Sequence, residues 1–200
     1  FLYVSSNPLF LCGRTTEEVK EKGYGFYFEV VPPEEIHQLM EINEAGFRFY
    51  YEQPPEKRLS LTIEYDFHIC TSQRHRHLIH HKLTPILLSG KGDIWLALCT
   101  VSLSPNKDPG EVLISDNTCT DRHAYSFKGR RWRKQPEIIL SDREREILQL
   151  SVKGLSNAEI GESLFIDANT VKFHKKKLFE KLHAENITEA VGVAAYLRLI

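Results

Sequence analysis

Residues 140–182 carry the start signals of successive helices, and these signals constrain the fold more than any other feature. Ser141 is followed three positions later by Glu144. These residue types at this spacing match the capping box, in which the hydroxyl and the carboxylate each accept a hydrogen bond from the other residue's backbone amide. Ser156 and Glu159 repeat the pattern. The two boxes predict two short helices that must pack into a small all-α unit.

Further signals mark where these helices end and where two more begin. Gly154 can adopt the left-handed conformation that terminates a helix, so the first helix is predicted over residues 141–153. Asp167 is predicted to cap a third helix. Asn186 with Glu189 repeats the capping pattern for a fourth.

The predicted third helix has two different faces. Val171, Leu178 and Leu182 share one side, whereas Lys172 and Lys176 lie one turn apart on another. A helix with a packed back and a basic front suits the major groove of DNA, which admits a helix between two rails of phosphates. A solvated lysine face without a partner is the alternative interpretation.

The phrases LSDREREILQL, GLSNAEIGESLFI, NTVKFHKKKLFEKL and NITEAV resemble the LuxR-type (GerE-like) helix-turn-helix of bacterial transcription regulators. The resemblance implies that the amino-terminal part of the third helix enters the major groove. The residues then expected at or near the bases are Asn169, Thr170, Lys172, Phe173 and Lys176, and those expected at the phosphates are Lys175, Lys177 and Lys181. Phe173 departs from the smaller aliphatic residue common in the family, so a different base or methyl group could be read there.

The predicted fourth helix carries a second apolar stripe. Its members are Ala190, Val193, Ala194 and Leu197. The resemblance implies that this helix pairs two copies on DNA, which makes a homodimer the expected assembly. Packing of the stripe inside the same four-helix unit is the other interpretation, and both stay open at this point.

The charge distribution separates the chain into parts. Residues 1–127 hold 12 basic and 17 acidic side chains, although the net charge of the whole chain is only -1. Lys128, Arg130, Arg131, Arg133 and Lys134 then follow with no acidic residue among them. Residues 128–138 are interpreted as a basic linker lying along DNA phosphates, or equally as a strand or an interdomain contact.

The cysteines and the apolar runs indicate the compartment. No short paired spacing links Cys12, Cys70, Cys99 and Cys119, so neither a zinc site nor a disulfide framework is expected. No apolar run reaches membrane-spanning length and no signal peptide is visible, so we expect a cytoplasmic protein without a membrane partner. Because the chain starts at Phe1 and its only methionine is Met40, we interpret it as a fragment.

Residues 1–127 show strand and helix patterns of a second kind. Residues 59–70 alternate between apolar and polar side chains as a half-buried strand does. Residues 78–88 and 94–103 follow as two further strands of an antiparallel meander, and the last of these, apolar on both faces, is expected to be central.

Two helices are predicted ahead of this meander. They cover residues 15–22 and 33–45, and Gly46 is expected to stop the second. A short strand is a further possibility at residues 112–115. Helices followed by a meander indicate an α+β arrangement with helices on one face of a sheet.

This order of elements resembles the PAS fold, and the phrase YVSSNPLFLCGRTTEEV resembles that family's entry strand and helix. The family's first strand would precede Phe1. The predicted fold is therefore an α+β, PAS-like antiparallel sheet with helices, followed by an all-α LuxR-type helix-turn-helix domain. The predicted domains are residues 1–127, a linker over 128–138, and residues 139–200.

The PAS-like part offers few signs of a ligand. Six apolar side chains could line a cavity between the helices and the sheet but are more often plain core, namely Phe26, Tyr27, Phe28, Met40, Phe47 and Phe49. His37 is a lone candidate for a haem ligand, although a lone histidine is more often a surface or satisfied residue. His75, His77 and His81 share a strand face that could hold a transition metal, but a solvated hairpin tip with titrating imidazoles is the favoured interpretation. We expect no cofactor and no metal, and the effector is unknown.

The leading hypothesis is a dimeric, sequence-specific transcription regulator whose PAS-like module senses a signal or mediates dimerisation. Its implied partners are double-stranded DNA, a second copy of the chain and, as a further candidate, RNA polymerase. The sequence shows no nucleophile with a paired base, no phosphate-binding loop and no strong metal-ligand spacing, so an enzyme is not expected. The alternative is a signalling adaptor whose helix-turn-helix docks on another regulator.

Overall fold

The computed structural model divides into two compact units, residues 1–135 and 136–200, which are described separately. It describes the whole chain except Arg74, Pro105, Gly110, Thr120 and Arg198. Within that described part, no helix has both the length and the apolar character needed to cross a membrane.

The first unit begins with helices. These are α1 (Pro8–Leu11), α2 (Thr16–Lys22), α3 (Gly25–Val30), α4 (Pro33–Glu52) and α5 (Pro55–Arg58). A capping box of Thr15 and Glu18 starts α2, and Pro33 stands in the first turn of α4, where its missing amide hydrogen costs nothing.

The expected stop of the second predicted helix at Gly46 is wrong, because α4 continues to Glu52. Gly46 faces the sheet, and a Cβ atom on it would lie 2.6 Å from Cδ1 of Ile63. The glycine therefore serves close packing of α4 on the sheet rather than helix termination.

Six strands follow and form one antiparallel sheet. They are β1 (Leu61–Cys70), β2 (Arg76–Leu88), β3 (Ile94–Leu103), β4 (Leu113–Asp116), β5 (Arg122–Ser126) and β6 (Arg131–Lys134). Their order across the sheet is β3-β2-β1-β4-β5-β6. The predicted meander of β1, β2 and β3 is confirmed, and the short strand expected at residues 112–115 is present as β4.

The expectation that the third strand is central is wrong, because β3 lies at an edge of the sheet. Its Trp95, Leu98 and Leu103 are all more than half exposed. The central position belongs to β1, whose other side pairs with β4. Which strands become neighbours depends on pairing between distant residues, and the alternation within one strand does not encode it.

Helices cover one face of the sheet and give the unit its core. Leu39, Ile42 and Phe49 of α4 are buried together with Ile63 and Phe67 of β1. This arrangement of helices followed by an antiparallel meander is the α+β fold that was predicted for the first unit. The strands β4, β5 and β6 extend the sheet beyond β1. A strand was expected at the position of β4 and was one of the interpretations left open at that of β6, whereas β5 was not foreseen.

The opposite face of β1 holds a buried polar network. Nδ1 of His80 lies 2.6 Å from Oδ1 of Asp66, and its Nε2 lies 3.5 Å from Oε2 of Glu64. Hydrogen bonds to Asp66 and then to Glu64 raise the pKa of His80 to about 9. The imidazolium therefore offsets one of the two negative charges of these almost fully buried carboxylates, and Nζ of Lys82 lies 3.2 Å from Oε2 of Glu64.

The β5–β6 hairpin packs on α4. The indole Nε1 of Trp132 donates to the backbone oxygen of Ala45 at 3.1 Å, and its ring contacts Phe49 and Tyr125. The expected basic linker over residues 128–138 is thus corrected. Residues 131–134 form β6 because Trp132 supplies an apolar anchor between the arginines, and the first unit continues to residue 135.

The second unit consists of helices α6 (Asp142–Val152), α7 (Asn157–Leu164), α8 (Ala168–Leu182) and α9 (Ile187–Tyr196). Both predicted capping boxes form, at Ser141 and at Ser156. Asp167 caps α8 through the backbone amide of Asn169, and Asn186 caps α9. The four helices predicted in this region are therefore confirmed, and each begins within one or two residues of its predicted start.

Candidate nucleic-acid interface

A tight turn between α7 and α8 sets the position of α8. A Cβ on Gly161 of α7 would lie 2.6 Å from the backbone oxygen of Ile166, so only glycine allows the turn to approach this closely. Phe165 ends α7 with φ of 55°, and its ring is 96% exposed. A left-handed, fully exposed phenylalanine is costly, and it lies at the turn immediately before α8.

The back of α8 is packed as predicted. Val171 is buried with Ile147 of α6 and Ile160 of α7. Leu178 and Leu182 join a second buried cluster. This packing fixes which side of α8 remains available for a partner.

The available side of α8 is polar and basic. Its exposed residues are Asn169, Thr170, Lys172, Phe173, Lys176 and Lys177. Most of these residues are three or four positions apart and therefore share one face of the helix. No acidic residue occurs within α8 before Glu180. The structure therefore brings the residues expected at the bases onto one exposed surface.

Phe173 is 54% exposed and carries a cation on its ring. Nζ of Lys177 lies 4.5 Å from the ring centroid, within the range of a cation–π contact. Nζ of Lys176 lies 4.0 Å from Oε1 of Glu180, at the limit of an ion pair. Lys172 has no ion pair among the described residues.

Two of the lysines expected at phosphates differ from the others. Lys175 is partly buried, and this burial lowers the pKa of its ammonium. Lys181 donates to the carboxylate of Glu144 at 2.7 Å and to the backbone oxygen of Ile139 at 3.1 Å. Its ammonium is thus held within the unit, a role that the lysine spacing alone did not reveal.

The stripe on α9 is divided by the structure. Ala190 and Ala194 are completely buried in the unit's own core, so they form no surface for a second copy. Val193 and Leu197 are partly buried against the same core. The interpretation of packing within one unit therefore holds for the two alanines. The exposed side of α9 carries Thr188, Gly192 and Ala195 instead.

The structure brings together only some of the candidate ligand residues of the first unit. Phe26 and Phe49 are core residues, whereas Phe28, Met40 and Phe47 are exposed. Of these candidates, Met40 and Phe49 line one groove together with His37. Among the described His, Cys, Asp and Glu residues, no group of three is placed to hold a metal ion. The four cysteines are free thiols.

His81 is the most unusual of the histidines in the first unit. Burial lowers the pKa of His81 to about 4, and its Nδ1 has no hydrogen-bond partner in the described structure. The rings of Tyr27, Tyr65 and Phe67 surround it, with centroids 5.0–6.0 Å away. The expected solvated hairpin tip is therefore wrong for His81, because packing between α3 and β1 makes it a buried core residue.

An open groove of about 820 Å³ lies between part of α4 and the β5–β6 hairpin. Aromatic rings of Phe49, Tyr125 and Trp132 line it together with charged side chains such as Glu41. The carboxylate of Glu41 accepts from the hydroxyl of Tyr125 at 2.9 Å, which joins the two walls. Sequence patterns gave no sign of this groove, because the hairpin itself was not foreseen.

Comparison with known proteins concerns mainly the second unit. Residues 138–194 match the family model described as bacterial regulatory proteins, luxR family. The regulatory protein SdiA of Escherichia coli is 43% identical over 65 residues, which are 32% of this chain and 27% of that protein. The CsgBAC operon transcriptional regulatory protein of the same organism is 45% identical over 64 residues, 32% of this chain and 30% of that protein. The chain thus spans less than a third of either relative.

Solved structures give a similar result. The response regulator ChrA of a heme-sensing two-component system is 44% identical over 33% of each chain, with a TM-score of 0.31. A Vibrio cholerae VqmA dimer is 16% identical, covering 78% of this chain and 63% of that chain, with a TM-score of 0.30. TM-scores of this size do not show a shared overall fold.

The geometry of α7, the tight turn and α8 defines the second unit as a helix-turn-helix domain. Its capped helices and its sequence also indicate which kind of helix-turn-helix domain it is. Residues 138–194 are a LuxR-type helix-turn-helix domain of the kind found in bacterial regulatory proteins.

Proposed function

We propose that this chain is a sequence-specific DNA-binding transcription regulator. The observation that carries the proposal is the exposed face of α8, where polar and cationic side chains stand above a buried apolar back. The amino-terminal half of α8 enters the major groove, and Asn169, Thr170, Lys172, Phe173 and Lys176 contact or approach the bases. Amide and ammonium groups match the donors and acceptors on base edges there.

Lys175 and Lys177 contact the phosphates on either side of this groove. Such contacts orient the domain on the duplex but carry no sequence information. Lys181 is assigned to the structure of the domain instead, because its ammonium already binds Glu144.

The protein acts as a homodimer on two half-sites, and its PAS-like unit modulates the DNA-bound state. Two linked domains bind more tightly than one because the second contact forms at a high effective concentration. Since Ala190 and Ala194 are core residues, the pairing surface on α9 lies on the side of Gly192 and Ala195.

A salt titration of DNA binding tests the proposal. An operator would first be selected from a random duplex pool by repeated binding to the full chain. The affinity for this operator and for a scrambled duplex would then be measured between 50 and 200 mM salt, a range over which six to ten phosphate contacts cost about 10³–10⁵ in affinity.

A steep loss of affinity with salt, together with a preference for the operator of about 10³ or more, supports the proposal. Failure to select any operator contradicts it. In that case the adaptor hypothesis is tested next, because a helix-turn-helix that docks on another protein needs no DNA.

A further inference from the structure

The β5–β6 hairpin carries cations that the proposed recognition helix does not account for. Six basic residues lie between Asp121 and Glu137, with no acidic residue among them. Three of these have partners inside the first unit. Arg130 approaches Glu41 at 3.7 Å and Lys134 pairs with Asp121 at 2.5 Å, while Arg122 is partly buried.

The other three cations are Lys128, Arg131 and Arg133, and all are exposed. None of them has an ion pair among the residues that the structure describes. Lys128 stands in the turn of the hairpin, and the two arginines stand on β6 at the edge of the sheet. The hairpin therefore presents three uncompensated positive charges to solvent.

The packing of the hairpin on α4 fixes the positions of the two arginines. Trp132 faces α4, since its indole binds Ala45. Alternation along a strand then places Arg133 on the opposite face, whereas Arg131, the first residue of β6, lies beside Trp132 at the groove and is exposed. Trp132 anchors the hairpin, so the two arginines are held at a fixed spacing by a packed element instead of a free chain.

The hairpin is tethered close to the second unit along the chain. Only residues 135–141 separate the end of β6 from the start of α6. A fully extended chain of this length spans at most about 28 Å, which is less than one turn of duplex. A hairpin so tethered experiences a high effective concentration of any phosphate bound near the second unit.

We infer that Lys128, Arg131 and Arg133 form a second, sequence-independent contact with the phosphates of the duplex that α8 reads. This inference rests on the proposed function. The contact adds affinity without specificity, and it makes the placement of the first unit part of DNA binding. Three phosphate contacts would contribute about 2.7 to the slope of log affinity against log salt concentration.

The test compares two charge-matched variants of the full chain. One carries Lys128→Gln, Arg131→Gln and Arg133→Gln. The control carries Lys57→Gln, Lys91→Gln and Lys107→Gln, which removes three exposed cations elsewhere in the first unit. Thermal melts followed by circular dichroism confirm that both variants fold.

We expect the hairpin variant to bind the selected operator and a scrambled duplex more weakly by similar factors. Its salt slope should be shallower than that of the unchanged chain by about 2 to 3. The control should keep the original slope. A third variant with Arg131→Lys and Arg133→Lys keeps the charge and should retain most of the slope.

Charges on an edge strand also prevent pairing between sheets, and this role makes a different prediction. If the hairpin variant aggregates but keeps the slope and affinity of the unchanged chain, the phosphate contact is ruled out and the proposed function stands. If the unchanged chain itself binds no DNA, the proposed function fails, and the inference fails with it.

Discussion

The ammonium of Lys181 lies 2.7 Å from a carboxylate oxygen of Glu144, at the other end of the helix-turn-helix domain's sequence. The side chain of Glu144 is only 4% exposed, and the same oxygen accepts from the backbone amide of Ser141 at 2.8 Å. Burial raises the pKa of Glu144, but the hydrogen bonds from Lys181 and Ser141 outweigh it and hold the pKa below its ordinary value. One carboxylate thus caps α6 and fixes the last turn of α8.

Replacing Lys181 should therefore destabilise the domain. We expect Lys181→Met to lower the free energy of unfolding by about 1–3 kcal/mol, because it leaves Glu144 buried with one hydrogen bond fewer. Denaturant unfolding of the variant measures the loss. Lys176→Met, on the exposed face of the same helix, is the control and should leave the stability nearly unchanged. If Lys181→Met keeps full stability and its DNA affinity depends less steeply on salt concentration, Lys181 contacts the phosphates instead.

Replacing Lys172 and Lys176 should affect recognition instead. We expect Lys172→Ala and Lys176→Ala each to lose roughly 1–3 kcal/mol of specific binding where a base contact is made. Fluorescence anisotropy with the selected operator and single-base variants measures both the affinity and the discrimination. Lys153→Ala, beyond the end of α6, serves as the matched control. Full operator affinity in the Lys172 and Lys176 double variant would contradict the proposal that α8 binds in the major groove.

The two adjacent histidines of β2 should limit the stability of the first unit at opposite ends of the pH scale. The pKa of His80 is raised from 6.5 to about 9, so its contribution is complete below pH 6.5 and is lost as the pH rises through about 9. The pKa of His81 is lowered from 6.5 to about 4, so stability is lost as the pH falls from 6.5 towards 4. We expect the free energy of unfolding to be highest near neutral pH.

Single substitutions separate the two effects in unfolding measurements from pH 4 to 10. His80→Gln should remove the loss of unfolding free energy that deprotonation of His80 causes on the alkaline side. The difference in unfolding free energy between this variant and the unchanged chain should therefore shrink as the pH rises towards 9. His81→Phe should flatten the acid side, since no buried imidazole then resists protonation. An unchanged acid limb in His81→Phe would show that His81 is not the group responsible.

Adjacent alanines on α9 offer a matched pair for the dimer proposal. Ala194 is fully buried, whereas Ala195 is exposed. We expect Ala194→Glu to unfold the second unit, because it buries an unpaired charge, and Ala195→Glu to preserve the fold. If α9 pairs two copies, Ala195→Glu should also abolish cooperative binding to two half-sites in footprinting. Unchanged cooperativity with an intact fold would exclude this side of α9.

The second unit was predictable because its signals are local. Ser141 with Glu144 and Ser156 with Glu159 each specify a helix start within four residues, and the structure forms both boxes. The exposed face of α8 followed directly from helical spacing. The ion pair of Lys181 was not predictable in this way, since its partner is 37 residues away and only the folded unit brings them together.

The first unit was less predictable because its arrangement depends on distant pairing. Alternation located β1 correctly, but the apolar sequence of β3 resembled a central strand although β3 lies at the edge. Gly46 looked like a helix stop, and only the sheet beneath α4 explains it. The basic residues around Trp132 left a linker and a strand equally open, and only the contact of Trp132 with Ala45 decides for the strand β6.

The placement of the two tryptophans allows the first unit to be followed by fluorescence separately from the second. Trp95 is 68% exposed on β3, whereas Trp132 is packed against α4, and residues 136–200 contain no tryptophan. Indole emission therefore reports only on the first unit, with a water-exposed, readily quenched component and a shielded one. Acrylamide quenching of the shielded component would follow the detachment of the β5–β6 hairpin from α4, while helical ellipticity records the second unit as well.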